Sequence, residues 1–358
     1  MKERTTEQML ADVTNAKTSA DLFGPFGGPA RAAKRIFRVY ATHLHPDRAA
    51  AAGFDPVATS AAFDRLTFLY QSWTKGVAAR TPHAAPTSPD LIVVGRHSTY
   101  TAAGEPTAGT VSGVYRGAAA NGDPVAIKIP RSATSSRFIE GERTALAAIA
   151  KVTADSENAW LAPYFPTLLD TATLSDGAGT ERAVNVLGPL GAEDGFVDLA
   201  TVAAQLGGLD GRDWAWIHRR LLRAIAGAHL AGVVHGAIVA ENVLIQPEGH
   251  GVVLAGWSLS TTAGQPLPGR IASRTDAYPP DADEKASPAL DVYMAHALMR
   301  SMLAPTERRQ LAFARGCMQP APTMRPDAAG LLGEYDELLE DLYGRRRFRR
   351  FPYTVSAA

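Results

Sequence analysis

The run His235-Gly236-Ala237-Ile238-Val239-Ala240-Glu241-Asn242-Val243-Leu244-Ile245 closes the most apolar stretch of the chain, which begins at Leu221. As a membrane span this stretch is poor, because Arg223, His229, His235, Glu241 and Asn242 interrupt it. From about Trp214 onward, Ile217, Leu221, Ile225 and Ala228 recur at helical spacing. The stretch therefore reads as a buried helix, a polar loop opening at His235 and a short apolar strand.

Working outward, the pattern upstream is strand-like. Ser112 to Arg116 and Val125 to Ile129 flank Asn121-Gly122, a dipeptide suited to a hairpin turn. Strands followed by helices fit an α+β domain with two lobes. The whole chain has 358 residues, enough for roughly two or three domains. With 46% hydrophobic and 20% charged residues it has the composition of a folded globular protein. Lys plus Arg and Asp plus Glu both number 36, so no bulk field draws the molecule to nucleic acid or acidic lipid. Cys317 is the only cysteine, which rules out an internal disulfide framework and fits a reducing compartment. Met1 to Gln8 is polar and lacks a signal peptide's apolar core, so the expected location is cytoplasmic.

The strand Val125-Ala126-Ile127-Lys128 resembles the V-A-I-K element of protein kinases, and Glu142 follows in a helical stretch with Leu146 and Ile149. The run from His235 to Asn242 has the spacing of the kinase catalytic loop H-R-D-x-x-x-x-N. Gly256-Trp257-Ser258 stands at the D-F-G position, and Pro279-Pro280-Asp281 at A-P-E. Asp291-Val292-Tyr293 and Arg325-Pro326 continue the match, which spans residues 93–343. The resemblance implies a Lys128–Glu142 ion pair, a structural Asp281–Arg325 pair and a structural Asp291.

The same register puts Ala237 where the catalytic aspartate belongs and Gly256 where the metal-binding aspartate belongs. Phosphoryl transfer rests on charge stabilisation by carboxylate-held Mg²⁺ and on a carboxylate that orients the attacking hydroxyl. Neither alanine nor glycine supplies this, so the expectation is a pseudokinase with no catalytic residue and no metal site. In the phosphate-covering loop Gly109 fits the middle glycine, while Thr107 and Ser112 replace the outer two and Gly113 lies one place out of register. A nucleotide site would draw on Gly109, Lys128, Glu142 and Asn242, with ATP held without efficient Mg²⁺ binding. Lys128 and Glu142 have a second reading, in which their ion pair only holds strand against helix.

The first part of the chain has a different pattern. Ala33, Ile36, Phe37, Tyr40, Ala41 and Leu44 repeat at helical spacing, with Arg31, Lys34, Arg35 and Arg38 largely on another side. A second helical pattern, Phe63, Leu66, Tyr70 and Trp73, could bury its stripe against the first. Residues 45–59 are then an exposed loop, opening with His45-Pro46-Asp47. Residues 18–75 resemble a DnaJ-type J-domain: a short Leu22-Phe23-Gly24 entry, a basic helix, H-P-D, and a helix with an aromatic core. The resemblance implies a partner, the ATPase domain of a DnaK-type chaperone, triggered by His45, Pro46 and Asp47 and steered by Lys34, Arg35 and Arg38.

Residues 76–92, rich in Ala, Pro, Thr and Ser, read as a linker. Residues 344–358 form a basic tail in which Arg345, Arg346, Arg347, Arg349 and Arg350 surround Phe348. It reads as a solvated tail, or as a run that attracts phosphates. His218, His229 and His250 lack metal-ligand companions and read as structural or surface residues. The expected protein is a multidomain, all-α J-domain followed by a two-lobed α+β kinase-like domain. Its expected function is that of a co-chaperone or scaffold that recruits and stimulates a DnaK-type chaperone, with the kinase-like domain holding an unidentified protein client or a regulatory partner. The alternative is an atypical ATP-binding kinase or other ATP-dependent transferase.

Overall fold

A computed structural model of the chain describes residues 4–16, 18–24, 30–78, 91–175 and 179–355. Two compact units emerge: Met1–Pro89 with Ala118–Pro124 and Gly344–Arg349, and Asp90–Gly117 with Val125–Tyr343 and Arg350–Ala358.

The first unit is built from helices α1 (Thr6–Asn15), α2 (Ser19–Phe23), α3 (Ala30–Leu44), α4 (Pro46–Ala51) and α5 (Pro56–Ala78). The apolar stripes of α3 and α5 meet: Ala33, Tyr40 and Leu44 are buried with Leu66, Leu69 and Trp73. The Trp73 indole donates to the Gly24 carbonyl at 2.7 Å, and Phe37 stacks on Tyr70 with centroids 4.3 Å apart. Helix α1 is not legible in the hydrophobic pattern, since it offers the core little more than Met9 and Val13. A capping box between Thr5 and Gln8 starts it, and Arg65 fastens its end by donating to the Val13 carbonyl at 3.0 Å.

Two expectations need correction here. Residues 45–59 are not an open loop, because α4 and the start of α5 occupy most of the segment. Each of these helices begins with a proline, Pro46 and Pro56, whose fixed φ suits the first helical position and whose missing N–H costs nothing there. Nor do residues 76–92 form a linker throughout: α5 runs to Ala78 and a strand begins at Leu91, while residues 79–90 lie outside the described set.

In the second unit, strands β1 (Leu91–Val94), β2 (Thr99–Ala108), β3 (Ser112–Ala119), β4 (Pro124–Pro130), β5 (Leu168–Ser175) and β6 (Glu181–Leu187) form one sheet. Its order is β1-β2-β3-β4-β6-β5, with helix α6 (Ser136–Thr153) packed on β6. A bridge between Gly95 and Ala172 brings the two edge strands together. Asp170 fastens this closure: its carboxylate accepts from the backbone N–H groups of Arg96 (3.2 Å), His97 (2.9 Å) and Thr171 (2.7 Å), and from the Tyr100 hydroxyl (2.9 Å).

The remainder is largely helical. It comprises β7 (Val197–Asp198), α7 (Leu199–Leu206), α8 (Gly211–Leu230), β8 (Val233–Val234), β9 (Val243–Gln246), β10 (Gly251–Leu254) and β11 (Thr261–Thr262). Helices α9 (Pro288–Met302), α10 (Arg308–Cys317) and α11 (Gly330–Tyr343) complete it. Trp214, Ile217, Leu221, Leu222 and Ile225 of α8 are fully buried, as are Val243 and Ile245 of β9. At about 1.5–3 kcal/mol for each large apolar side chain removed from water, these residues dominate the local stability. The apolar run that opens at Leu221 is thus the centre of this core. No helix among the described residues is long and apolar enough to cross a membrane.

His218 of α8 and His296 of α9 meet in this core with their Nε2 atoms 3.3 Å apart, and His296 Nδ1 lies 2.6 Å from the Val292 carbonyl. Burial pushes both imidazoles down, His296 to about 4 and His218 well below its ordinary value. A depressed histidine leaves the unfolded chain holding more protons between pH 4 and pH 6.5. Stability is therefore full above about pH 6.5 and falls as the pH drops toward 4, by up to about 1.4 kcal/mol per pH unit for each such histidine. Urea midpoints measured from pH 7.5 to 5 should fall accordingly, and His296→Gln should flatten the slope.

Candidate functional site

The site is assembled from β4, α6, the loop after β8 and the turn after β10. On β4, Lys128 turns its ammonium to Glu142 of α6, with Nζ and Oε1 2.7 Å apart and both side chains almost wholly out of water. The second Glu142 oxygen is also engaged, accepting from Asn185 Nδ2 at 3.0 Å. Asn185 in turn accepts from Arg143 Nε at 2.6 Å, and Arg143 donates to the carbonyls of Ala172 (3.0 Å) and Val184 (2.8 Å). A single polar network therefore pins α6 to the sheet. The sequence held an overlooked signal for it: Asn185 is the one polar side chain in Ala183-Val184-Asn185-Val186-Leu187, and it is fully buried.

In the loop after β8, the backbone N–H groups of His235 and Gly236 donate to the two oxygens of buried Asp291, at 2.7 and 2.9 Å. His229 Nε2 lies 3.0 Å from the same carboxylate. His235 Nδ1 accepts from the Ala237 N–H (3.2 Å), so its Nε2 carries the proton offered to the Ala255 carbonyl at 2.9 Å. Burial pushes this imidazole down as well, in keeping with a neutral ring. Gly236 adopts φ +66, and a Cβ there would lie 2.4 Å from Leu267 Cδ2. Leu267 thus sits on the loop backbone where most side chains could not be accommodated, a contact that sequence spacing does not signal.

The two substituted positions meet at Asn242. Its Nδ2 donates to the Ala237 carbonyl at 2.8 Å, closing the loop upon itself. Gly256 adopts the left-handed φ of +80, and a Cβ on it would fall 2.2 Å from Asn242 Oδ1. The Asn242 amide thus fills the space that a side chain at position 256 would enter. Next in the chain, Trp257 is fully buried with its ring edge-on to His235 at 4.4 Å, and its indole donates to the Leu254 carbonyl at 2.7 Å.

The hairpin that would cover phosphates is tight. The Gly109 N–H donates to the Ser112 carbonyl at 2.8 Å, and the Arg131 N–H, just beyond β4, donates to the Val111 carbonyl at 3.1 Å. A Cβ on Gly113 would meet Pro106 Cβ at 2.8 Å, so the packing of Pro106 accounts for this glycine. These residues do not suit Mg²⁺, which takes oxygen ligands, usually carboxylates and phosphates, in octahedral geometry. Among the described residues no group of three His, Cys, Asp or Glu side chains could hold a metal ion.

Further along, Arg325 is buried and forms an ion pair with Asp281, with a second contact at 3.3 Å between Nη1 and Oδ2. It also donates to the carbonyls of Gln319 and Pro320, both at 2.7 Å. Of the three histidines without metal companions, His218 and His229 have the partners given above. His250 stacks on Trp216 with centroids 4.4 Å apart.

In the helical unit Lys34, Arg35 and Arg38 are exposed on α3. His45 departs from expectation: it is buried, at 3% exposure, with its ring edge-on to Phe63 (5.5 Å) and 5.3 Å from the Phe348 ring. Pro46 opens α4, the backbone N–H groups of Arg48 and Ala49 both donate to the His45 carbonyl at 2.9 Å, and the Asp47 side chain lies outside the described set. The tail is not simply solvated either. Phe351 is buried against Trp216 at 5.6 Å, whereas Arg345, Arg346, Arg347, Arg349 and Arg350 remain exposed.

No protein-family model and no curated protein sequence matches the chain. Solved structures do match in fold. Vaccinia related kinase 3 aligns with a TM-score of 0.53 at 16% identity over 74% of this chain and 94% of that one. ROP2 from Toxoplasma gondii, described as a virulence factor with a protein-kinase fold and no enzymatic activity, aligns at 0.51 and 13% identity over 71% and 85%. The ROP18 kinase domain, solved with AMP-PNP and sucrose, aligns at 0.53 and 13% identity over 72% and 86%. The sheet and helices of the second unit thus form a protein-kinase-like α+β fold.

The Lys128–Glu142 pair gives a direct stability test. Breaking a buried pair leaves a charge without its partner and costs roughly 3–5 kcal/mol, whereas replacing both members by apolar side chains is often neutral. Lys128→Met should lower the denaturation midpoint markedly, and adding Glu142→Leu should restore much of the loss. An unchanged midpoint in Lys128→Met would remove the structural role.

Proposed function

We propose that the kinase-like unit is a non-catalytic binding module and that the helical unit is a J-domain recruiting a DnaK-type chaperone ATPase to whatever the module holds. The chain is then a cytoplasmic co-chaperone or scaffold, and the chemistry takes place on its partner. One observation carries the first half: Asn242 fills the space beside Gly256 where a metal-binding carboxylate would have to stand. With Ala237 in the loop and no carboxylate at 256, the fold lacks the charges that phosphoryl transfer requires. ROP2, described as having a protein-kinase fold and no enzymatic activity, is a precedent for such a module.

The second half rests on His45-Pro46-Asp47, which stands at the junction of α3 and α4 and is preceded by the exposed cations Lys34, Arg35 and Arg38. Such a basic face would steer an acidic surface on the ATPase. On this reading the J-domain occupies residues 18–75, with α1 packed against it, and the kinase-like domain occupies residues 93–343. The retained Lys128–Glu142, Asp281–Arg325 and Asp291 contacts keep the module rigid. The module would hold a protein client, and neither nucleic acid nor a membrane is needed as partner.

A single-turnover measurement of ATP hydrolysis by a DnaK-type chaperone from the same cell tests the reading. The wild-type chain should accelerate hydrolysis, and His45→Gln should abolish the acceleration. Equal acceleration by both proteins would dismiss the J-domain assignment. Phosphate transfer by the chain itself would instead favour an atypical ATP-dependent transferase.

A further inference from the structure

Phe348, the aromatic residue amid the five exposed tail arginines, belongs to the helical unit, where it packs on the turn that would touch the chaperone. Its ring centroid lies 5.3 Å from that of His45, on which Phe63 of α5 also packs edge-on at 5.5 Å. The Arg48 guanidinium, three residues on, lies over the Phe348 ring at 4.8 Å. His45 is thus enclosed by two aromatic rings and only 3% exposed. Phe63 is a fixture of α5, whereas Phe348 is brought by residues 344–349, which contain no helix or strand.

The geometry points to an autoinhibitory latch: Phe348 covers His45 at the start of α4, and the chaperone ATPase gains access to it only when the tail lifts. This inference rests on the J-domain reading and adds regulation to it. A partner that needs the His45 ring must displace Phe348, one of the two aromatic rings that bury it. The contacts of Phe348 with His45 and Arg48 are of the aromatic-pair and cation–π kind, each weak enough to be reversible. Apparent affinity falls by the fraction of molecules that are open, so a latch of this strength should hold back stimulation by about 5- to 10-fold.

The test uses the full chain as wild type, Phe348→Ala, and Phe348→Ala with His45→Gln. Single-turnover hydrolysis by a DnaK-type chaperone is measured at subsaturating concentrations of each. Phe348→Ala should stimulate about 5- to 10-fold more than wild type, and the double variant should not stimulate. Equal stimulation by wild type and Phe348→Ala would overturn the latch while leaving the J-domain reading intact. Absence of stimulation by every variant would overturn both. A readout without chaperone separates these cases further: carbethoxylation of His45 by diethyl pyrocarbonate should quicken in Phe348→Ala, and an unchanged rate would overturn the latch.

Discussion

A carboxylate cannot stand at position 256 while Asn242 keeps its place. The Asn242 amide is held by the Ala237 carbonyl at 2.8 Å, and a Cβ on Gly256 would lie 2.2 Å from Asn242 Oδ1. The left-handed backbone at Gly256 suits glycine, and the turn it makes delivers Trp257 into the core beside His235. Loop closure, the position of Trp257 and the missing metal-binding charge are therefore parts of one arrangement. An aspartate at 256 would require Asn242 to leave its hydrogen bond, so the glycine and the asparagine depend on each other in the packing.

Around this altered centre the polar contacts that survive are those whose loss would cost stability. Asp291 gathers two backbone N–H groups and His229 inside the core, and Glu142 divides its oxygens between Lys128 and Asn185. Arg325 is buried with Asp281 and two backbone carbonyls. Removing one member of any of these groups strands a buried polar atom or charge. Ala237 and Gly256 have no polar side chain, so neither position leaves a buried group to be satisfied.

Much of the fold was legible because strong periodicity and spacing coincide with burial. The stripe Ile217, Leu221, Ile225, Ala228 is the buried face of α8, and the run from His235 to Asn242 is the loop that follows β8. Less legible was anything set by contacts distant in sequence. Asp170 closes the sheet through residues 70 or more positions earlier, and Leu267 reaches Gly236 from a segment with no periodic pattern. The polarity of His45 suggests exposure to water, yet two aromatic rings enclose it. The tail arginines drew attention by charge, whereas the packing falls to Phe348 and Phe351 between and beyond them.

If Lys128 and Glu142 serve only to join strand to helix and no carboxylate at 237 or 256 holds a metal, the fold does not take up Mg-ATP. Titrating Mg-ATP into the full chain by calorimetry tests it most directly. The account expects no binding heat up to millimolar nucleotide. Saturable binding in the micromolar range that requires Mg²⁺ and disappears in a Lys128→Ala variant that remains folded would contradict it.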